Sequence, residues 1–151
     1  LMEYIQKNPY FIFLALIVIF LAIGFLNAEE TLDINIHDTY FVISYLYFAV
    51  LLSVIYTFLA ILYFALIKLN FPLIKWLIST HVIVSVGGLL LIWIFSQLKR
   101  EVAPGDIESY IADMTFNDKM LLGIFITVGT MIATQVIFVV NVIQALIKGR
   151  S

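Results

Sequence analysis

Long apolar runs almost free of charge alternate along the chain with short polar connections. Four apolar runs stand out, at 9–26, 40–67, 72–98 and 120–147. A hydrocarbon core about 30 Å thick is crossed by roughly 20 helical residues rising about 1.5 Å each. Each run meets that length, so the pattern predicts four transmembrane helices and an all-α integral membrane protein, with a single four-helix domain over 1–151. Residues 27–38 read as a short acidic loop. Asn70-Phe71-Pro72 reads as a tight turn, with Pro72 in the first turn of the third helix. The longest connection, 99–118, contains Pro104-Gly105 and then Ile107, Tyr110, Ile111 and Met114 at i, i+3, i+4 and i+7, with Asp106 placed to cap them. That spacing predicts a short amphipathic interfacial helix before the last span. Thr115-Phe116-Asn117-Asp118 then reads as a capping start to the last span.

Composition agrees with a bilayer as solvent. The chain has 151 residues, 64% of them hydrophobic and 12% charged, against about 45–50% and about 25% in a soluble domain. The first run is longer than a secretory h-region, and Leu26-Asn27-Ala28 is a poor small-residue cleavage site, so it is read as a true span. A net charge of −2 gives no electrostatic case for nucleic acid. With no cysteine, disulfides, thiolate metal sites and a cysteine nucleophile are excluded.

Charge also predicts orientation. Four spans put both termini on one side, together with Lys7, Lys68, Lys75, Lys148 and Arg150; Lys99, Arg100 and Lys119 fall on the other. The lysine and arginine bias places the termini in the cytoplasm. Every acid except Glu3 then lies on the far side, and so do His37 and Asp38.

Ionisable groups inside a membrane are functional suspects. Lys75 is close enough to a helix end to snorkel. His81 lies about two turns deeper, and the spans carry no carboxylate between them. This argues against a proton pump or an ion-coupled transporter. The plain reading of His81 is an imidazole hydrogen-bonded to a neighbouring helix; the functional one is a ligand to haem. On the fourth span Gly123, Thr127, Thr130 and Thr134 form a stripe, with Gln135, Asn141 and Gln144 near it, and the third span carries Ser85, Gly87 and Gly88. Small and hydroxyl residues of this kind let helices approach and bond across. A pore lining and a face for a partner subunit are the other readings.

The segment Leu32-Asp33-Ile34-Asn35-Ile36-His37-Asp38-Thr39-Tyr40-Phe41-Val42 resembles subunit I of the haem–copper oxidases (cytochrome c oxidase subunit I), where a similar segment joins the ninth helix to the tenth. Lys75-Trp76-Leu77-Ile78-Ser79-Thr80-His81 is similar to the start of that family's eleventh helix, and Lys99-Arg100 falls near an arginine pair before its twelfth. The resemblance implies that the chain corresponds to the last four helices of that subunit. The family's tenth helix carries two histidines, two residues apart, that hold haem on opposite faces. The corresponding positions here are Tyr45 and Tyr47. Tyrosine can ligate haem iron as phenolate, but in lipid that needs a nearby cation, and the sequence supplies none close by. The family's copper ligands and active-site tyrosine lie on helices to which nothing in this chain corresponds. The resemblance therefore implies a scaffold with no catalytic residue and no cofactor, in which the phenol rings fill the place of the imidazoles. It also implies that His37 and Asp38 lie where the family has a magnesium or manganese site, as half of a hard-metal ligand set. The simpler reading has Asp38 or Thr39 capping the second helix and His37 paired with a loop acid.

The expected function is that of a non-catalytic accessory subunit of a larger assembly in the inner (cell) membrane, a respiratory one if the resemblance guides the choice. Its partners would be other integral-membrane subunits and lipid, with a quinone or a respiratory complex as candidates. The alternatives are a small haem- or quinone-binding redox protein, a subunit of a secretion, motility or transport machine, and a small transporter or channel.

Overall fold

A computed structural model describes residues 1–36, 38–102 and 105–150, with the backbone alone over 32–36. Five helices and one hairpin follow in the order α1 (Met2–Lys7), α2 (Pro9–Leu26), β1 (Thr31–Ile36), β2 (Thr39–Ser44), α3 (Tyr45–Lys68), α4 (Lys75–Leu98) and α5 (Ile107–Lys148). Helices α2 to α5 are all long and apolar enough to cross a membrane, as their sequence pattern predicts. The chain forms two compact units, 1–73 with 148–151, and 74–147.

In the first unit, Pro9 opens α2, where its missing N–H costs nothing. Rings hold α2 against α3. Phe13 stacks on Tyr63 with centroids 5.8 Å apart and meets Tyr56 edge-on at 5.5 Å; Phe20 also meets Tyr56 edge-on, at 5.2 Å. Phe13, Tyr56 and Tyr63 are all buried. Further along, Gly24 is required by a close approach. A Cβ there would stand 2.5 Å from Ala49 Cβ, so any side chain would force α2 and α3 apart. Helix α3 ends in a Schellman turn. Asn70 takes φ 58°, its N–H donates to the Ile67 carbonyl, and the Phe71 N–H reaches back to Leu66.

Two boundaries differ from the sequence pattern. Residues expected to form an acidic loop and the start of the second span form the β1–β2 hairpin instead, antiparallel, with Ile36 opposite Thr39 and Thr31 opposite Ser44. The strand signal is present in Leu32-Asp33-Ile34-Asn35-Ile36, which alternates apolar and polar, and in the β-branched and aromatic residues of Thr39–Ser44. The cap of α3 is consequently Ser44, whose hydroxyl accepts from the Leu46 N–H at 3.3 Å, rather than Asp38 or Thr39. Likewise Pro72 precedes α4, which begins at Lys75 with Ile74 as its cap residue.

In the second unit, α5 is a single 42-residue helix. The amphipathic segment at 107–114 exists, but it is continuous with the last span instead of lying apart from it. Asp106 caps the start as its position suggests: Oδ1 accepts from the Ser109 N–H at 2.7 Å and from the Ser109 hydroxyl at 2.8 Å. These bonds hold the Asp106 carboxyl below the usual carboxylate range. Nothing then breaks the helix at 115–118. Thr115 bonds back to the Ile111 carbonyl at 2.8 Å, and the amide of Asn117 is engaged outside the helix. Trp76 and Trp93 are exposed near opposite ends of α4, roughly 26 Å apart along its axis, a spacing suited to the two interfaces.

Candidate functional site

The polar side chains of the second unit sit at three levels between α4 and α5. At the first level, Asn141 is almost fully buried and grips the backbone of Ile74 with both ends of its amide. Oδ1 accepts from the Ile74 N–H at 2.8 Å and Nδ2 donates to the Ile74 carbonyl at 3.2 Å. Ile74 has no side-chain cap to offer α4, so Asn141 supplies one from the neighbouring helix. At the opposite end Asn117 repeats the motif on Arg100. It accepts from the Arg100 N–H at 2.8 Å and donates to the Arg100 carbonyl at 2.9 Å. The Arg100 guanidinium then pairs with Asp113 at 3.1 Å and covers the Phe116 ring at 4.0 Å. The two asparagines are about 36 Å apart along α5, slightly more than a hydrocarbon core.

Between these two clamps lies His81, with 0% of its surface exposed. Its Nε2 is 3.2 Å from Gln135 Oε1, and its ring stacks on Phe138 at 4.8 Å. Gln135 donates its own Nε2 to the Met131 carbonyl at 3.4 Å, which turns Oε1 toward the imidazole, so His81 Nε2 carries the proton of that bond. The sequence pattern suggests a helix–helix bond for His81, and Gln135 provides it.

The threonine stripe behaves differently from its expected role in bonding across helices. Thr127, Thr130 and Thr134 each donate to the carbonyl four residues earlier, at 2.7–2.9 Å, within α5 itself. Thr130 is exposed, and Gly87 has open space where a Cβ would be. Gly123 does sit close to its neighbour, with the Phe95 ring 3.0 Å from where its Cβ would be. The Gln144 amide is buried without a hydrogen-bond partner among the described residues.

The positions singled out by the resemblance lie in the first unit. Tyr45 and Tyr47 open α3. Tyr47 is 75% exposed, so it does not fill the interior; Phe13, Tyr56 and Tyr63 do so further along the pair. The reason is the hairpin. It delays the helix until Tyr45 and leaves both tyrosines in its first turn, at the rim. Asp38 is exposed in the turn that joins β1 to β2, and His37 lies outside the described residues. Among the described residues, no three histidine, cysteine or acidic side chains are grouped to hold a metal ion.

Sequence reasoning missed the two asparagine clamps. Asn117 reads as part of a cap, and Asn141 as one polar residue near a stripe. Only their separation, close to the length of α4, hints that both address that helix. No protein-family model, curated protein sequence or solved structure matches this chain.

Proposed function

We propose that this multi-pass membrane protein is a non-catalytic accessory subunit of a larger assembly in the inner (cell) membrane, with both termini in the cytoplasm. One observation carries the reading: the imidazole in the spans and two asparagine amides, groups that a redox or transport role would draw on, are engaged in joining segments of the fold. His81 bonds Gln135, Asn141 holds Ile74 and Asn117 holds Arg100. Such bonds make a rigid scaffold whose remaining helix faces are apolar and available to other membrane subunits. The respiratory identity of the assembly rests on the likeness of residues 32–42 to haem–copper oxidase subunit I, an argument from analogy rather than from a site.

Purification from native membranes in mild detergent tests the proposal. A stoichiometric complex with other integral-membrane subunits, oxidoreductase subunits among them, is the expected result. A monodisperse protein that carries a Soret band would overturn it in favour of a haem-binding role.

A further inference from the structure

The last span is free of charge from residue 120 to 147, so Lys119 stands at or beyond the hydrocarbon edge. Helix α5 continues outward past it without interruption to Ile107. At about 1.5 Å per residue, Ile111 lies roughly 12 Å and Ile107 roughly 18 Å beyond Lys119. The headgroup layer is only roughly 5–8 Å deep on each side, and a typical tilt of about 20° shortens these heights by less than a tenth. The outer part of the helix thus stands in water. It is rooted there by Arg100, which grips Asp113, Phe116 and Asn117, and its tip is closed by the Asp106 cap.

This rod carries an apolar stripe on one side. Ile107 is 78% exposed, and Tyr110, Ile111 and Met114 are exposed as well. At 100° per residue the four fall within one face, centred well away from the side that Arg100 holds. Acids frame the face. Glu108 lies to one side and Asp118 in line beneath it, both exposed, while on the other side Asp113 is paired with Arg100. From 105 to 118 the helix itself carries no lysine or arginine. The framing selects the occupant. A second copy in the same membrane would bring Glu108 and Asp118 against their own kind, and anionic lipid would be repelled in the same way.

We infer that the exposed face of α5 at Ile107, Tyr110, Ile111 and Met114 docks a basic-rimmed apolar segment of another protein on the side of the membrane opposite the termini. The inference rests on the accessory-subunit reading and names the surface through which the subunit meets a partner. The apolar centre supplies the contact, and the acids select a lysine- or arginine-bearing rim and speed its encounter. Because the helix is already formed and anchored, docking requires little ordering of this side of the interface.

Photo-crosslinking of the full chain in its native membrane tests it. A benzoylphenylalanine probe replaces Tyr110 in one variant and Ile107 in another, with Val136 in the span as control. The expected result is one protein adduct from positions 107 and 110 and none of it from 136, with lysines or arginines flanking the crosslinked apolar peptide. Its yield falls about tenfold on Glu108→Lys with Asp118→Lys, a change of about 1.4 kcal/mol at the charged rim. An independent variant, Ile111→Asp, lowers it as well, while the amount of chain in the membrane is unchanged. Adducts only to lipid, to a second copy or to an acidic peptide, or a yield indifferent to these substitutions, would overturn the inference. If a complex copurifies but 107 and 110 give no protein adduct, the docking face is wrong and the subunit reading stands. If neither appears, the subunit reading falls as well.

Discussion

The two helix pairs are joined by different means. Between α2 and α3 the contact is made of rings and of the space left by a glycine: Phe13 against Tyr63 and Tyr56, Phe20 against Tyr56, and Gly24 beneath Ala49. Between α4 and α5, directed hydrogen bonds at three levels, two of them onto backbone, are added to close approaches at Gly88 and Gly123. In lipid, apolar side chains gain little by leaving the solvent, so helix association depends on shape and on polar bonds. The first pair relies on shape and should be sensitive to volume. The second adds polar bonds to its close contacts and should be sensitive to donor and acceptor geometry as well.

The largest expected effect is on the first pair. Phe13→Ala should remove about 3 kcal/mol of stability through the cavity left at a fully buried ring, whereas Phe13→Leu should cost less than about 1.5 kcal/mol. Denaturant titration in detergent, with hydrogen exchange to locate the opening, should show α2 and α3 separating while α4 and α5 stay protected. Equal loss of protection in both pairs would remove the contrast.

The second pair should respond to bond geometry as well. Asn141→Leu keeps the branched skeleton, though with bulkier methyl groups in place of the amide, and leaves the Ile74 N–H without its acceptor, at a cost of about 2 kcal/mol. Exchange at the first turn of α4 should accelerate first. A neutral result would mean that packing, not the amide clamp, holds the pair.

The smallest effect concerns the N-terminal end of α5. The Asp106 carboxyl is held below its ordinary range by its bonds to Ser109. A carboxylate depressed in the folded state stabilises above its unfolded pKa, and that stabilisation is lost as pH falls through the folded value. Acidification should therefore fray the helix at 107–110, read as faster exchange there once the intrinsic pH dependence is removed. Asp106→Asn keeps an acceptor oxygen and should abolish the pH response. Fraying that persists in that variant would place its cause elsewhere.

Much of this architecture is legible in the residues alone. The four spans, the turn at Asn70, the Asp106 cap and the i, i+3, i+4, i+7 stripe at 107–114 follow from local spacing, because hydrogen bonds inside a helix and the thickness of a bilayer are local constraints. The hairpin was legible too, in the alternation at 32–36, but the charges there suggest a loop and the apolar run after Tyr40 suggests a span. The candidate site was less legible. His81 stands out as the single imidazole deep in a span, yet nothing near it in the chain points to Gln135. Asn117 and Asn141 look ordinary until they are seen on the backbones of Arg100 and Ile74.

Local spacing fixes which segments are long and apolar enough to cross a bilayer, since that depends only on the length and polarity of contiguous runs. Counting those spans also places most of the acids on one side of the membrane. The folded chain alone reveals that the stripe at 107–114 lies on a helix continuous with the last span, and that Tyr47 is exposed. A helix stops only where a cap, a proline or a competing bond ends it, and Arg100, which takes up Asn117, and Thr31, which pairs with Ser44 in the hairpin, lie 17 and 13 residues away in sequence.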